Sequence, residues 1–169
     1  MKRLLFIAIL LLSTVGSFTG AAAPTGGSRP FTVLAEQYRG EPGVEVTDLG
    51  RVALSLMRAA ARTATTTPDE KETLAAFSGV TRLLVVDFED SAEATRQRFS
   101  AQVRKLLKKR DLILEARDQG DFLRIYGTLS EDGEEIRDII IFNESDGGLI
   151  CAFGSVPTRF LERIRSKRK

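Results

Sequence analysis

Histidine and tryptophan do not occur in this 169-residue chain, and there is a single cysteine, Cys151. Without histidine the commonest general base and the commonest metal ligand are both missing. A lone cysteine cannot close an internal disulfide, so the fold must be held by burial. Glycine-rich phosphate loops, the Gly-x-Ser-x-Gly elbow and Cys/His metal spacings are also missing. A serine nucleophile would therefore need a lysine base. Long apolar runs are confined to Leu4–Leu12, too short for a comfortable membrane span.

What is present at the amino terminus is ordered. Lys2 and Arg3 precede the apolar run, and small residues follow to Ala23. This is the pattern of a secretory signal peptide, residues 1–22, with cleavage expected near Ala22. No cysteine ends the apolar stretch, so the expectation is an exported periplasmic or extracellular protein that is not a lipoprotein. Losing Lys2 and Arg3 reduces 25 basic residues to 23, equal to the 23 acids. The mature chain is neutral overall, which argues against nucleic acid as a partner.

Residues 23–30 read as a Pro/Gly/Ser linker. Phe31, Leu34, Ala35 and Tyr38 then mark one face of a short helix. Val44 and Val46 suggest a short strand. Asp48 is positioned to cap a helix to Arg62, with Val52, Leu56, Ala59 and Ala60 inward and Arg51, Arg58 and Arg62 outward. Pro68-Asp69-Glu70 opens a helix ending near Gly79. Val80–Phe88 is apolar on both faces and reads as an interior strand. Ser91 begins a long helix to Arg110 with a stripe of Phe99, Val103, Leu106 and Leu107. Leu112–Arg117, Phe122–Leu129, Glu135–Asn143 and Leu149–Val156 are joined by Asp118-Gln119-Gly120, Asp132-Gly133 and Asp146-Gly147-Gly148 turns, an antiparallel meander. Pro157 sits at the start of a closing helix carrying Phe160, Leu161 and Ile164.

The expected fold is α+β: a two-layer, largely antiparallel sheet of about five strands packed against helices. It forms one domain over residues 31–166, with a basic tail at 167–169. One sheet face is covered by the Ser91–Arg110 and final helices, and the other needs the amino-terminal helices or another protein.

Phe31–Tyr38, Val44–Met57, Asp121–Thr128 and Gly154–Ile164, in this order behind an exported leader, resemble domain-of-unknown-function family 4252, a group of exported bacterial proteins. The resemblance spans Phe31 to about Ile164. It implies a periplasmic or surface location, and it carries no activity and no site residues. Many members look like lipoproteins, and the missing cysteine departs from that pattern.

Charge is segregated. Arg96, Arg98, Arg104, Lys105, Lys108, Lys109 and Arg110 give seven bases and no acid over residues 96–110. Arg159, Arg163, Arg165, Lys167, Arg168 and Lys169 add a second basic stretch against Glu162. Residues 111–150 hold eleven acids and three bases. One reading is a basic helical side able to meet an anionic membrane surface or an acidic partner. The other is that basic helices neutralise an acidic sheet edge.

Lesser candidates are weighed beside these. Glu131, Asp132, Glu134 and Glu135 flank a turn where solvated acids are expected, and would serve a hydrolase only if buried. Asp118, Asp121, Glu144 and Asp146 fall at one end of the meander without a known cation-loop spacing. Arg51, Arg58 and Arg62 form either an anion ridge or a solvated face. Cys151 reads as a core thiol, and Asn143-Glu144-Ser145 matches a glycosylation triplet. The function expected is a non-enzymatic binding or interaction domain of the bacterial cell envelope, with an envelope protein as partner and no cofactor. A peripheral membrane-surface protein and a carboxylate hydrolase are the alternatives.

Overall fold

The computed structural model describes residues 29–64, 75–118 and 121–159. The leader, most of the linker, the helix expected from Pro68 and the closing helix with its basic tail lie largely or wholly outside them. Helix α1 spans Arg29–Tyr38, α2 Arg51–Ala64 and α3 Glu93–Leu107. The strands are β1 Glu45–Leu49, β2 Val80–Asp87, β3 Asp111–Asp118, β4 Asp121–Leu129, β5 Glu135–Asn143 and β6 Gly148–Pro157.

The six strands form one wholly antiparallel sheet in the order β1-β2-β6-β5-β4-β3. The fold is α+β, and the carboxy-terminal meander β3–β6 is continuous with β2. The sixth strand is β1, which the Val44–Val46 pattern had only suggested. β6, the last strand in sequence, inserts beside β2, so the amino-terminal and meander parts share one core.

Alternation along β2 places Leu84 and Val86 on a first face and Leu83 and Val85 on the second. On the first face, Phe31, Leu34, Ala35 and Tyr38 of α1 and Phe99, Val103 and Leu107 of α3 pack with Leu84, Val86, Phe88, Ile140, Phe142, Leu149, Cys151 and Phe153. Tyr38 meets Phe99 edge-on with centroids 5.0 Å apart, and Phe88 lies 4.8 Å from Phe99. Buried side chains of this size each contribute roughly 1.5–3 kcal/mol, so Phe99 at the centre anchors both helices. On the second face α2 lies against β1 and β2 through Leu54, Ala53 and Met57, near Leu49 and Leu83.

Four sequence expectations are corrected here. First, α2 turns the opposite way. Val52 and Leu56 are 74% and 62% exposed, whereas Leu54 and Ala61 are buried. Two apolar stripes compete on this helix, and Arg58 decides between them. Its Nη1 donates to the carbonyls of Phe77, Ser78 and Val80 at 3.0, 3.1 and 2.9 Å. Second, the long helix begins at Glu93, because the Ser91 hydroxyl donates back to the Phe88 carbonyl at 2.8 Å and caps nothing. Third, that helix ends at Leu107, and Lys108–Arg110 form a tight turn. Fourth, Pro157 is still the last residue of β6, opposite Glu135, and helical residues begin directly after it at Thr158. Proline is tolerated at a strand terminus, where no further ladder bond is lost.

Candidate functional site

α3 is held to the first face by Phe99, Val103 and Leu107, at i, i+4 and i+8, with Thr95 and Ser100 also buried. Of the ten remaining positions seven carry polar side chains, and four of those, Arg96, Arg98, Arg104 and Lys105, are basic. The seven basic residues of 96–110 divide by side-chain type. Every arginine is engaged within the molecule. Arg96 pairs with Glu93 at 2.8 Å and donates to the Glu89 carbonyl at 3.2 Å. Arg98 donates to Thr95 Oγ1 at 3.4 Å. Arg104 reaches Glu144 on the β5–β6 turn at 2.6 Å, and Arg110 lies 3.6 Å from Asp138 of β5.

The three lysines are different. Lys105, Lys108 and Lys109 are exposed and make no ion pair or side-chain hydrogen bond among the described residues. Lys108 keeps right-handed helical dihedrals and donates its backbone N–H to the Arg104 carbonyl, so the spacing i, i+3, i+4 keeps all three on one side. The charge also complements the partial negative charge at the helix end. Three residues beyond Lys109, Leu112 is 51% exposed. It is the Cα partner of Tyr126, which packs against the first-face core, so Leu112 lies on the side of the sheet that carries α3. Asp111 is the single acid between Lys105 and Leu114.

Three of the acidic candidates, Asp132, Glu144 and Asp146, are engaged by local structure, and the side chains of Asp118 and Asp121 lie outside the described residues. Asp132 accepts from Ser130 Oγ at 2.6 Å and from the Glu134 backbone at 3.1 Å across the β4–β5 turn. The Ser130 bond holds its carboxyl below the ordinary range, the reverse of what a general acid needs. The β3–β4 and β5–β6 turns do fall at one end of the sheet. There Glu144 is taken by Arg104 and Asp146 by Asn143 Nδ2 at 2.6 Å. Among the described residues no group of three His, Cys, Asp or Glu is placed to hold a metal ion. A shallow depression nearby is lined by Arg124, Phe142, Glu144 and Ser145, with Arg124 bound to Glu115 at 2.8 Å.

The remaining candidates are placed as follows. Of the Arg51/Arg58/Arg62 ridge, Arg58 is committed to backbone carbonyls while Arg51 is exposed, and the Arg62 side chain lies outside the described residues. The glycosylation triplet is closed: Asn143 is buried, its amide donating to Asp146 and its carbonyl oxygen accepting from Ser145 Oγ and the Asp146 backbone. Cys151 lies between Leu84 and Ile140, and burial pushes its thiol far up, as a core residue. What sequence reasoning missed is an ion-pair row on the first face. Arg82 clasps Asp48 through two hydrogen bonds, Nε at 2.8 Å from Oδ1, with side chains 11% and 15% exposed. Arg82 sits at an inward position of a strand read as purely apolar, and that one charge was the available signal. Among the described residues no helix is long and apolar enough to cross a membrane.

No protein-family model, curated protein or solved structure matched the chain.

Proposed function

We propose that this protein is an exported, non-enzymatic interaction domain of the bacterial cell envelope, in keeping with the resemblance to family 4252. Its working surface is the outer side of α3 and the turn that follows. The observation that carries this reading is the division of the basic residues. Arg96, Arg104 and Arg110 face acids within the fold, while Lys105, Lys108 and Lys109 are left to solvent as one cluster. Pairing with acids of the fold accounts for Arg96, Arg104 and Arg110 and leaves the lysines unexplained. Asp132, Asp146 and Glu144 are engaged by serine, asparagine and arginine respectively, which gives a hydrolase reading at these three no support.

The test is site-directed photo-crosslinking in cells. A photoreactive residue at Lys105 is expected to give adducts with an envelope component, and one at Arg51 on the opposite side of the sheet is not. Equal adducts from both positions, or none from Lys105, would refute the reading. So would any turnover abolished by a single carboxylate substitution.

A further inference from the structure

Resting on that reading, we propose that the Lys105/Lys108/Lys109 cluster, with Leu112 beside it, seats the protein on the anionic headgroups of a lipid surface. Three observations favour lipid over an acidic protein. The free cations are all lysines, whereas every arginine of the segment is used internally. Lysine is a flexible, strongly hydrated point charge suited to diffuse anionic surfaces, while arginine is enriched and lysine depleted in protein interfaces. The cluster stands on the convex outer side of a helix end, outside the depression lined by Arg124, Phe142, Glu144 and Ser145. Leu112, half exposed on the same side, with the half-buried Tyr126 opposite it, supplies an apolar and an aromatic group next to the charges. Basic residues flanking a small apolar group are what interfacial binding uses.

At an anionic surface each lysine is worth about fivefold in partitioning, so three together give about a hundredfold. The experiment is co-sedimentation of the protein with vesicles of phosphatidylcholine, with and without about 30% phosphatidylglycerol, at low and high salt. Binding is expected on the anionic vesicles, weakened at least tenfold by high salt and lost on neutral ones. The triple variant K105S/K108S/K109S should bind about a hundredfold more weakly, and the triple lysine-to-arginine variant should retain binding. Leu112→Ser should weaken binding severalfold at low salt, and Arg51→Ser should leave it unchanged. These lysines are exposed and make no ion pair or side-chain hydrogen bond among the described residues, so circular dichroism of the variants should match the parent. No binding to anionic vesicles, or binding indifferent to the lysines, overturns the lipid assignment. If cross-links from Lys105 to an envelope protein persist in that case, the interaction reading survives and only the lipid assignment falls.

Discussion

Arg58 and Leu56 exchange the roles that sequence pattern assigns them, and the exchange is measurable. Arg58 Nη1 carries two N–H groups and faces three carbonyls at 2.9–3.1 Å, so at most two full bonds form and the third is shared. Hydrogen bonds involving a charged group contribute about 1.5–3 kcal/mol each, and partial exposure brings these to the low end. Arg58→Met keeps the stem and removes all three contacts, so it should cost about 2–3 kcal/mol. The carbonyls of Phe77 and Val80 then lose a partner where water enters only in part. Leu56, 62% exposed, should tolerate Leu56→Ala within about 0.5 kcal/mol, since alanine is also the better helix former. Were Leu56 in the core, the same change would cost about 2–5 kcal/mol. Urea unfolding of the parent and both variants decides between these, with melting temperature as a second reading. The Arg58 variant should melt roughly 5–10 °C lower. A Leu56→Ala cost above that of Arg58→Met, or equal costs, refutes this orientation of α2.

Three further outcomes follow from the ion pairs and the thiol. Asp48→Ala removes both hydrogen bonds from the carboxylate to the largely buried Arg82 guanidinium and should cost about 3 kcal/mol, whereas the pair Asp48→Leu with Arg82→Met should recover most of it; a double variant as unstable as the single one contradicts this. Arg39 hydrogen-bonds Glu36 at 2.8–2.9 Å and holds its carboxyl below the ordinary range, so this stabilisation is present above about pH 4.3 and fades as pH falls through the lowered folded value. Both side chains are about half exposed, so Arg39→Ala should cost less than about 1 kcal/mol at pH 6 and less again in acid, where its 3.3 Å bond to the Val46 carbonyl is what remains, read from urea midpoints. Cys151 should resist thiol reagents in the folded protein and react as denaturant exposes it. Because burial raises its thiol, that contribution to stability is whole below about pH 8.5 and declines as pH rises and the unfolded chain ionises; rapid labelling in native buffer would contradict the burial.

Much of the sheet was legible because its signals are local. Asp132-Gly133 and Asp146-Gly147 announce their turns, with Gly133 and Gly147 at φ +73° and +63°, and the meander follows. The buried stripe Phe99, Val103, Leu107 was equally plain. The rest depended on tertiary competition. On α2 the better-looking apolar stripe lost because backbone carbonyls from a segment about twenty residues away recruited Arg58. At Ser91 the cap was lost because the hydroxyl found the Phe88 carbonyl first. For the candidate site the sequence located the seven basic residues and could not sort them, since sorting needs Glu144 and Asp138, 28–40 residues further on.

The sorting itself depends on an irregularity that crosses the sheet. Register shifts occur in the β2–β6, β5–β6, β4–β5 and β3–β4 pairings, side by side near Thr81, Phe153–Gly154, Asp138–Ile139 and Ile113. Their effect is a change of phase: Val80 and Ile136 join the second-face core although Leu84 and Ile140, of the same parity, lie on the first. Gly154 is fixed at φ +124°, where a Cβ would stand 2.2 Å from the Gly79 carbonyl oxygen. Asp138 adopts φ +53°, a conformation aspartate tolerates better than most residues, and accepts the Gly154 N–H at 3.2 Å. Its second oxygen faces Arg110 at 3.6 Å. The bulge thus supplies the anion that draws Arg110 inward at the end of α3, and Glu144 pairs with Arg104 at the surface one turn and a half earlier. With both arginines paired to acids, Lys105, Lys108 and Lys109 are left exposed with no ion pair among the described residues. The irregular backbone of the sheet and the composition of the cationic face are one structural fact.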